Sequence, residues 1–175
     1  MRVFHVQPGA VNESAGLPMV LPPRGFLWVA CGRREFELEH GNIQAALQVM
    51  CGTTLVDLHV SDLLNNQLPS HYDYTSQYDL LVFRRLAAGQ AEVDLGQPGA
   101  VLTEPVRRGG PPVLRRIDTS PVGFAVFDRV LLTVHPASCG VLDQYSARLL
   151  ASAANTARTV GAGLPASPAD LMLRI

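Results

Sequence analysis

The feature that most constrains the fold of this 175-residue chain is a pair of apolar runs separated by two polar residues. The runs occupy residues 122–127 and 130–134, and Asp128 and Arg129 lie between them. Two apolar runs joined in this way are typical of a β-hairpin, although Asp-Arg is a weaker turn signal than Asp-Gly. The sequence therefore predicts a β-sheet that contains this hairpin.

Further strands and helices are predicted on both sides of the hairpin. Apolar residues at three- and four-residue steps predict a helix at 43–50, delimited by Asn42 and Gly52, and a shorter helix at 55–65. Strands are predicted at 3–6 and 26–30, with a Pro-rich loop between them, and at 79–86. A Gly- and Pro-rich excursion at 87–112, a strand at 113–117, a helix at 141–154 and a linker at 156–163 complete the order. This order predicts an α/β (α+β) fold with helices packed on a mixed sheet.

The last ten residues carry the signals of a helix start. Ser167 is suited to the N-cap, Pro168 to the first helical position, and Asp170 to the positive end of the helix dipole. Leu171, Met172 and Ile175 then begin an apolar stripe, and no glycine or proline ends it. We therefore expect one folded domain at 1–163, and at 164–175 the start of a helix that continues in a longer protein.

Composition narrows the class of protein. Hydrophobic residues make up 47% of the chain and charged residues 17%, which is typical of a globular domain. The net charge of -1 gives no reason to expect a nucleic-acid partner. All fourteen basic residues are arginine, which excludes a catalytic lysine.

The cysteines and the termini indicate a reducing compartment. Cys31, Cys51 and Cys139 are odd in number and widely spaced, so a disulfide framework or a structural zinc site is not expected. The N-terminus lacks the apolar core of a signal peptide, and the run at 122–134 is too short and too interrupted to cross a bilayer.

Three groups of residues are candidate sites on their spacing alone. His59 and Asp62 lie one helical turn apart near Asp57, and a solvated helix face is favoured there over metal binding. Residues 71–74 (His-Tyr-Asp-Tyr) are favoured as an ordinary polar loop over a ligand site. Cys139 follows His135 by four residues, and a buried structural cysteine is favoured over an activated thiolate. Common nucleophile, phosphate and zinc motifs are absent, so no catalytic residue is predicted.

Four segments in one order resemble the N-terminal cytoplasmic domain of CorA-type magnesium transporters. Residues 58–65 (LHVSDLLN), Pro69 and 79–84 (DLLVFR) are similar to the family segment E-D-L-L-N…P…Y-D-Y-L-F-I-V-L-R. Residues 122–135 (VGFAVFDRVLLTVH) resemble the hairpin V-x-F-x-L-x-x-N-x-L-L-T-x-H, and 140–149 the helix after it. Residues 167–175 resemble the entry to the next helix before the long stalk. The likeness covers most of residues 26–175. This chain departs from the family pattern in two respects, the excursion at 87–112 and the lack of lysine.

The resemblance implies an αβα sandwich with a central mixed sheet. It also implies a role as the ion-sensing cytoplasmic domain of an inner-membrane protein, one that forms a homopentamer and transports Mg²⁺. The transmembrane helices and the Gly-Met-Asn loop would lie beyond Ile175, so this part of the protein would not itself contact the membrane.

The same resemblance implies a metal site at a subunit interface. Asp62 corresponds to the aspartate of the family's E-D-I-L-N segment, and Asp143 to the aspartate at the start of the helix after the hairpin. Ser61 stands where the family has glutamate, so one ligand is lost. Ionised carboxylates brought together repel each other unless a cation lies between them, and Mg²⁺, or another divalent cation such as Co²⁺ or Zn²⁺, would supply that charge. A surface charge is the alternative for each aspartate.

Three alternatives stay open from the sequence. The nearest is the same domain of a ZntB-like zinc transporter, since the pore that separates the two branches is not in this chain. A soluble interaction domain that shares the fold is the second. An enzyme that depends on Cys139 and His135 is the third.

Overall fold

A computed structural model describes residues 1–86, 119–136, 139–155 and 163–175. In these ranges the strands are β1 (Arg2–Gln7), β2 (Ala10–Ser14), β3 (Phe26–Gly32), β4 (His71–Tyr74), β5 (Tyr78–Leu86), β6 (Thr119–Phe127) and β7 (Val130–His135). The helices are α1 (Arg33–Cys51), α2 (Asp57–Leu64), α3 (Gly140–Asn155) and α4 (Pro168–Arg174). The excursion predicted at 87–112 and the strand predicted at 113–117 lie outside the described residues, as does the linker predicted at 156–163 except for its last residue.

The strands form one mixed sheet in the order β2-β1-β3-β7-β6-β5-β4. The central pair β3 and β7 is parallel, and the other neighbours are antiparallel. The predicted hairpin is confirmed: β6 and β7 pair with Val126 opposite Leu131 across Asp128 and Arg129. All seven residues of β3 are buried, because helices cover both faces of the sheet at its centre.

Two hydrophobic cores lie on opposite faces of the sheet. Successive side chains of a strand point to opposite faces, and on β3 Leu27 and Val29 enter one core whereas Trp28 and Ala30 enter the other. Helices α1 and α2 cover the first core, and α3 and α4 cover the second. The predicted αβα arrangement around a mixed sheet is therefore confirmed.

Helix α1 begins earlier than predicted, at Arg33 instead of after Asn42. The added turns are stabilised by Phe36, which is fully buried, and by the Glu35 carboxylate, which accepts a hydrogen bond from the backbone N–H of Gly32 at 2.8 Å. Gly52 ends the helix in the left-handed conformation, as its sequence position predicted.

Strands β2 and β4 form the two edges of the sheet, and neither was predicted. Residues 10–14 were expected in a Pro-rich loop and residues 71–74 in a polar loop, so both expectations are wrong. Both strands are short and carry polar residues, because an edge strand faces the solvent on one side. Their pairing with β1 and β5 depends on distant residues that local patterns do not reveal.

Candidate functional site

A buried hydrogen-bond chain joins α2 to strands β4 and β5. His59 is 2% exposed, and its Nδ1 lies 2.7 Å from the hydroxyl of Tyr78 while its Nε2 lies 3.1 Å from the Asp73 carboxylate. Because a carboxylate only accepts, Nε2–H of His59 donates to Asp73, and Nδ1 forms the second hydrogen bond with the hydroxyl of Tyr78. The Tyr78 oxygen in turn accepts the N–H of Val56 at 3.0 Å. The bond from His59 is the main cause that holds the pKa of Asp73 below its usual value.

The solvated helix face expected for His59 is therefore wrong, because both ring nitrogens have partners inside the protein. The sequence did contain one signal of this burial. His59 precedes Leu63 by four residues, and side chains with that spacing share a helix face; both are buried. Tyr78 and Asp73 gave no comparable signal, because their contacts with His59 cross from a helix to two strands.

Asp62 lies on α2 beside this chain and points toward the edge of the sheet. Its side chain is 16% exposed, and one carboxylate oxygen lies 3.5 Å from Nε2 of His71 on β4. Nδ1 of His71 lies 3.3 Å from the carbonyl oxygen of Pro69. The arrangement places a carboxylate and an imidazole next to each other at the surface.

Asp143 lies in the first turn of α3 and is far more open, with a side chain that is 72% exposed. Its nearest cation is the guanidinium of Arg2, at 3.9 Å. Arg2 is already engaged, because it donates to both carboxylate oxygens of Glu13, at 2.8 and 3.0 Å, and to the hydroxyl of Ser146 at 2.6 Å. Asp143 is therefore an exposed carboxylate whose only contact at this distance among the described cations, Arg2, is shared with Glu13.

The fold does not bring Asp62 and Asp143 together within one chain. Asp62 belongs to α2, which packs on one face of the sheet, and Asp143 belongs to α3, which packs on the other. Among the residues that the structure describes, no group of three or more His, Cys, Asp and Glu side chains could hold a metal ion. Any ion bound by either aspartate would need further ligands from water or from a second chain.

Cys139 and His135 both line the second core, and no catalytic pair is formed. Cys139 is buried, in agreement with the favoured interpretation. Nδ1 of His135 lies 3.0 Å from the carbonyl oxygen of Pro136, and its Nε2 has no hydrogen-bond partner. A thiol is activated when an adjacent base takes its proton, and neither nitrogen of His135 is bonded to Cys139.

Within the described residues, no helix combines the length and the apolar character needed to cross a membrane. No family model matches the sequence, and no curated protein matches it.

Solved structures do match the fold. The full-length CmaX protein superposes with a TM-score of 0.57 at 16% identity, over 98% of this chain and 42% of that one. The cytoplasmic domain of ZntB from Vibrio parahaemolyticus RIMD 2210633 superposes with a TM-score of 0.55 at 12% identity, over 98% of this chain and 54% of that domain's chain. The CorA magnesium transporter from Methanocaldococcus jannaschii superposes with a TM-score of 0.53 at 11% identity, over 94% of this chain and 41% of the transporter chain.

The present chain thus spans about half, or less, of the length of each matched structure. At these identities the likeness concerns the fold, and nearly the whole of this chain takes part in it. The mixed sheet, the two helical layers and these neighbours agree: the chain has the fold of a CorA-like cytoplasmic domain.

Proposed function

We propose that this chain is the cytoplasmic regulatory domain of a CorA-like divalent-cation transporter. On this proposal it binds rather than catalyses, and Mg²⁺ held by Asp62 and Asp143 between subunits keeps the pore closed. The observation that supports the proposal most directly is the match of 94–98% of the chain to the CmaX, ZntB and CorA structures.

The positions of the two aspartates suit a ring of subunits. A ring closes when each subunit uses two different surfaces, one toward each neighbour. Asp62 and Asp143 lie on opposite faces of the sheet, so each is available to a different neighbour. Because Mg²⁺ usually keeps several waters, one or two carboxylates at each interface are sufficient.

Loss of the ion would then drive the subunits apart. Carboxylates are ionised at neutral pH, and without a cation they repel each other across the interface. An ion that binds one arrangement of subunits better than the other shifts the equilibrium between the two. High cytoplasmic Mg²⁺ would thereby stabilise the closed arrangement, and Ser61, in place of a carboxylate, would make the site weaker than a full set of ligands.

Sedimentation of the 175-residue chain in a Mg²⁺ titration tests the binding step. We expect Mg²⁺ to promote association, and Asp62→Asn and Asp143→Asn each to raise the required concentration by about tenfold or more. Asp57→Asn is the matched control, since Asp57 lies on α2 but outside the proposed site. Equal behaviour of all three variants would contradict the assignment.

Uptake by the complete membrane protein tests the regulatory step. Asp62→Ala is expected to relieve the inhibition of uptake by high cytoplasmic Mg²⁺. If inhibition persists unchanged in this variant, Asp62 has no part in regulation.

A zinc-transporting, ZntB-like protein is the second candidate, and one contact favours it. Zn²⁺ accepts nitrogen ligands readily, whereas Mg²⁺ prefers oxygen, and Nε2 of His71 lies 3.5 Å from Asp62. In the same sedimentation assay, a response to Zn²⁺ at lower concentration than to Mg²⁺, lost in His71→Ala, would favour the zinc function.

A further inference from the structure

A groove of about 290 Å³ opens on the second face of the sheet, between α3, α4 and strands β5–β7. Its walls are largely apolar: Phe83 and Phe124 line it from the strands, Leu142 from α3, Met172 from α4 and Ile175 directly after α4. The volume lies close to the lower end of the range for ligand pockets, about 300–1,000 Å³. Such a groove fits a small ligand with an apolar body.

Two polar nitrogens in this groove have no hydrogen-bond partner among the residues that the structure describes. Nε2 of His135 and Nε of Arg85 are both shielded from solvent, and neither makes a hydrogen bond. His135 itself is 8% exposed. Most buried polar groups in proteins are hydrogen-bonded, and leaving one unpaired is costly. These two atoms therefore mark where the polar part of a ligand would lie.

The charges around the groove favour an acidic ligand. Arg85 carries a positive charge, and among the described residues that line the groove none has an acidic side chain. Nδ1 of His135 lies against the Pro136 carbonyl, so Nδ1 holds a proton and Nε2 of the neutral ring can only accept. Burial is the main cause that lowers the pKa of His135, and the Pro136 carbonyl and the Glu35 and Asp143 carboxylates offset it only in part, so the ring in the groove is neutral.

We propose that the groove binds a monocarboxylate with an unbranched apolar tail, of the medium-chain fatty acid class. The carboxylate takes up one proton from solvent as it binds; one oxygen then donates that proton in a hydrogen bond to Nε2 of His135 and the other accepts a hydrogen bond from Arg85. The tail packs between α4 and the strands. A helix laid across the groove has no free backbone donor or acceptor to offer, because its interior groups are paired within the helix. A slender acid brings both a donor and an acceptor into the groove, which makes it the better occupant.

Calorimetric titration of the 175-residue chain with decanoate, below its micelle concentration, tests the proposal. We expect decanoate to bind about tenfold or more tightly than decanol, since the two share a tail and only the acid makes a charge-assisted bond. Arg85→Met is expected to remove that preference but to keep the binding of decanol, which also demonstrates that the variant is folded.

Arg34→Met is the matched control, because Arg34 is exposed on α1 at the opposite face of the sheet and should leave both affinities unchanged. Val141→Trp, at the half-open rim of the groove, should weaken both ligands by filling the space. Equal affinity for decanoate and decanol in the unchanged chain would overturn the proposal, as would no binding of either. Self-association of the chain in sedimentation that Val141→Trp abolishes and decanoate does not change would mean that a second copy fills the groove, and would also overturn the proposal.

Discussion

At the scale of single residues, Tyr78 is the centre of the buried polar chain. Its hydroxyl contacts Nδ1 of His59 and accepts the N–H of Val56, and the residue is 4% exposed. Tyr78→Phe would leave Nδ1 of the buried His59 and the part-buried N–H of Val56 without this partner, at an expected cost of about 1–3 kcal/mol in the free energy of unfolding.

Urea denaturation measures that cost, and Tyr74→Phe is its control. Tyr74 is 69% exposed on β4, and a surface change of this kind is expected to stay within about 0.5 kcal/mol. Equal midpoints for the two variants would mean that the hydroxyl of Tyr78 adds nothing to stability.

His135 is expected to make stability depend on pH in the mildly acidic range. Burial is the main cause that lowers its pKa from the usual 6.5. As the pH falls below about 6.5, the unfolded chain therefore binds a proton that the folded chain does not, and the folded state loses stability until the pH passes its lowered pKa. As the pH is lowered from about 7.0 to about 5.5, across that usual value, the urea midpoint of the unchanged chain should fall.

His135→Gln should flatten this pH dependence, because glutamine does not titrate. The acidic residues affect stability in a separate, lower range of pH. The pKa values of Glu13 and Asp73 are lowered from 4.5 and 3.8, mainly by hydrogen bonds from Arg2 and His59, so the stability that they contribute is lost only at lower pH. An unaltered slope above pH 5.5 in His135→Gln would assign the effect to another group.

At the scale of elements, α4 is a short helix that depends on its cap and on one buried side chain. The Ser167 hydroxyl accepts the N–H of Asp170 at 3.1 Å, Pro168 occupies the first turn, and Leu171 is fully buried in the second core. A helix of this length is unstable without such contacts. Ser167→Ala is therefore expected to cost about 0.5–2 kcal/mol.

Hydrogen exchange locates that loss. Amides of α4 should exchange faster in Ser167→Ala, and those of α1 should be unaffected. Ser61→Ala, on the exposed face of α2, is the control and should be neutral or slightly stabilising because alanine is the better helix former. Faster exchange throughout the protein, rather than in α4, would mean that the cap supports the whole fold.

At the scale of the whole molecule, one sheet is shared by two cores. Trp28, the only tryptophan, lies in the second core with its ring 4.7 Å from that of Phe4 and 6.0 Å from that of Tyr145. Leu47 lies in the first core, on the other face. Because β3 contributes side chains to both cores, we expect the two cores to unfold together.

Leu47→Ala tests this coupling. It should cost about 2–5 kcal/mol and shift the Trp28 fluorescence and far-UV circular dichroism transitions equally, although Trp28 is in the other core. Leu38→Ala, at a position 74% exposed on α1, should change neither transition appreciably. A fluorescence midpoint that stays in place while the dichroism midpoint moves would show that the cores unfold separately.

The sequence by itself determined the elements whose signals are local. The β6–β7 hairpin, the end of α1 at Gly52 and the Ser167 cap of α4 all depend on residues that are neighbours in the chain. Backbone preferences and side-chain caps act over a few residues, so the amino-acid sequence alone is enough to predict these features.

Only the tertiary structure decided what depends on distant residues. It paired β3 with β7 in parallel, gave the polar segments at 10–14 and 71–74 their places as edge strands, and buried His59 between Tyr78 and Asp73. It also placed Asp62 and Asp143 on opposite faces of the sheet. Each of these contacts joins segments separated by many residues, and its free energy comes from burial and pairing that exist only once the chain has folded.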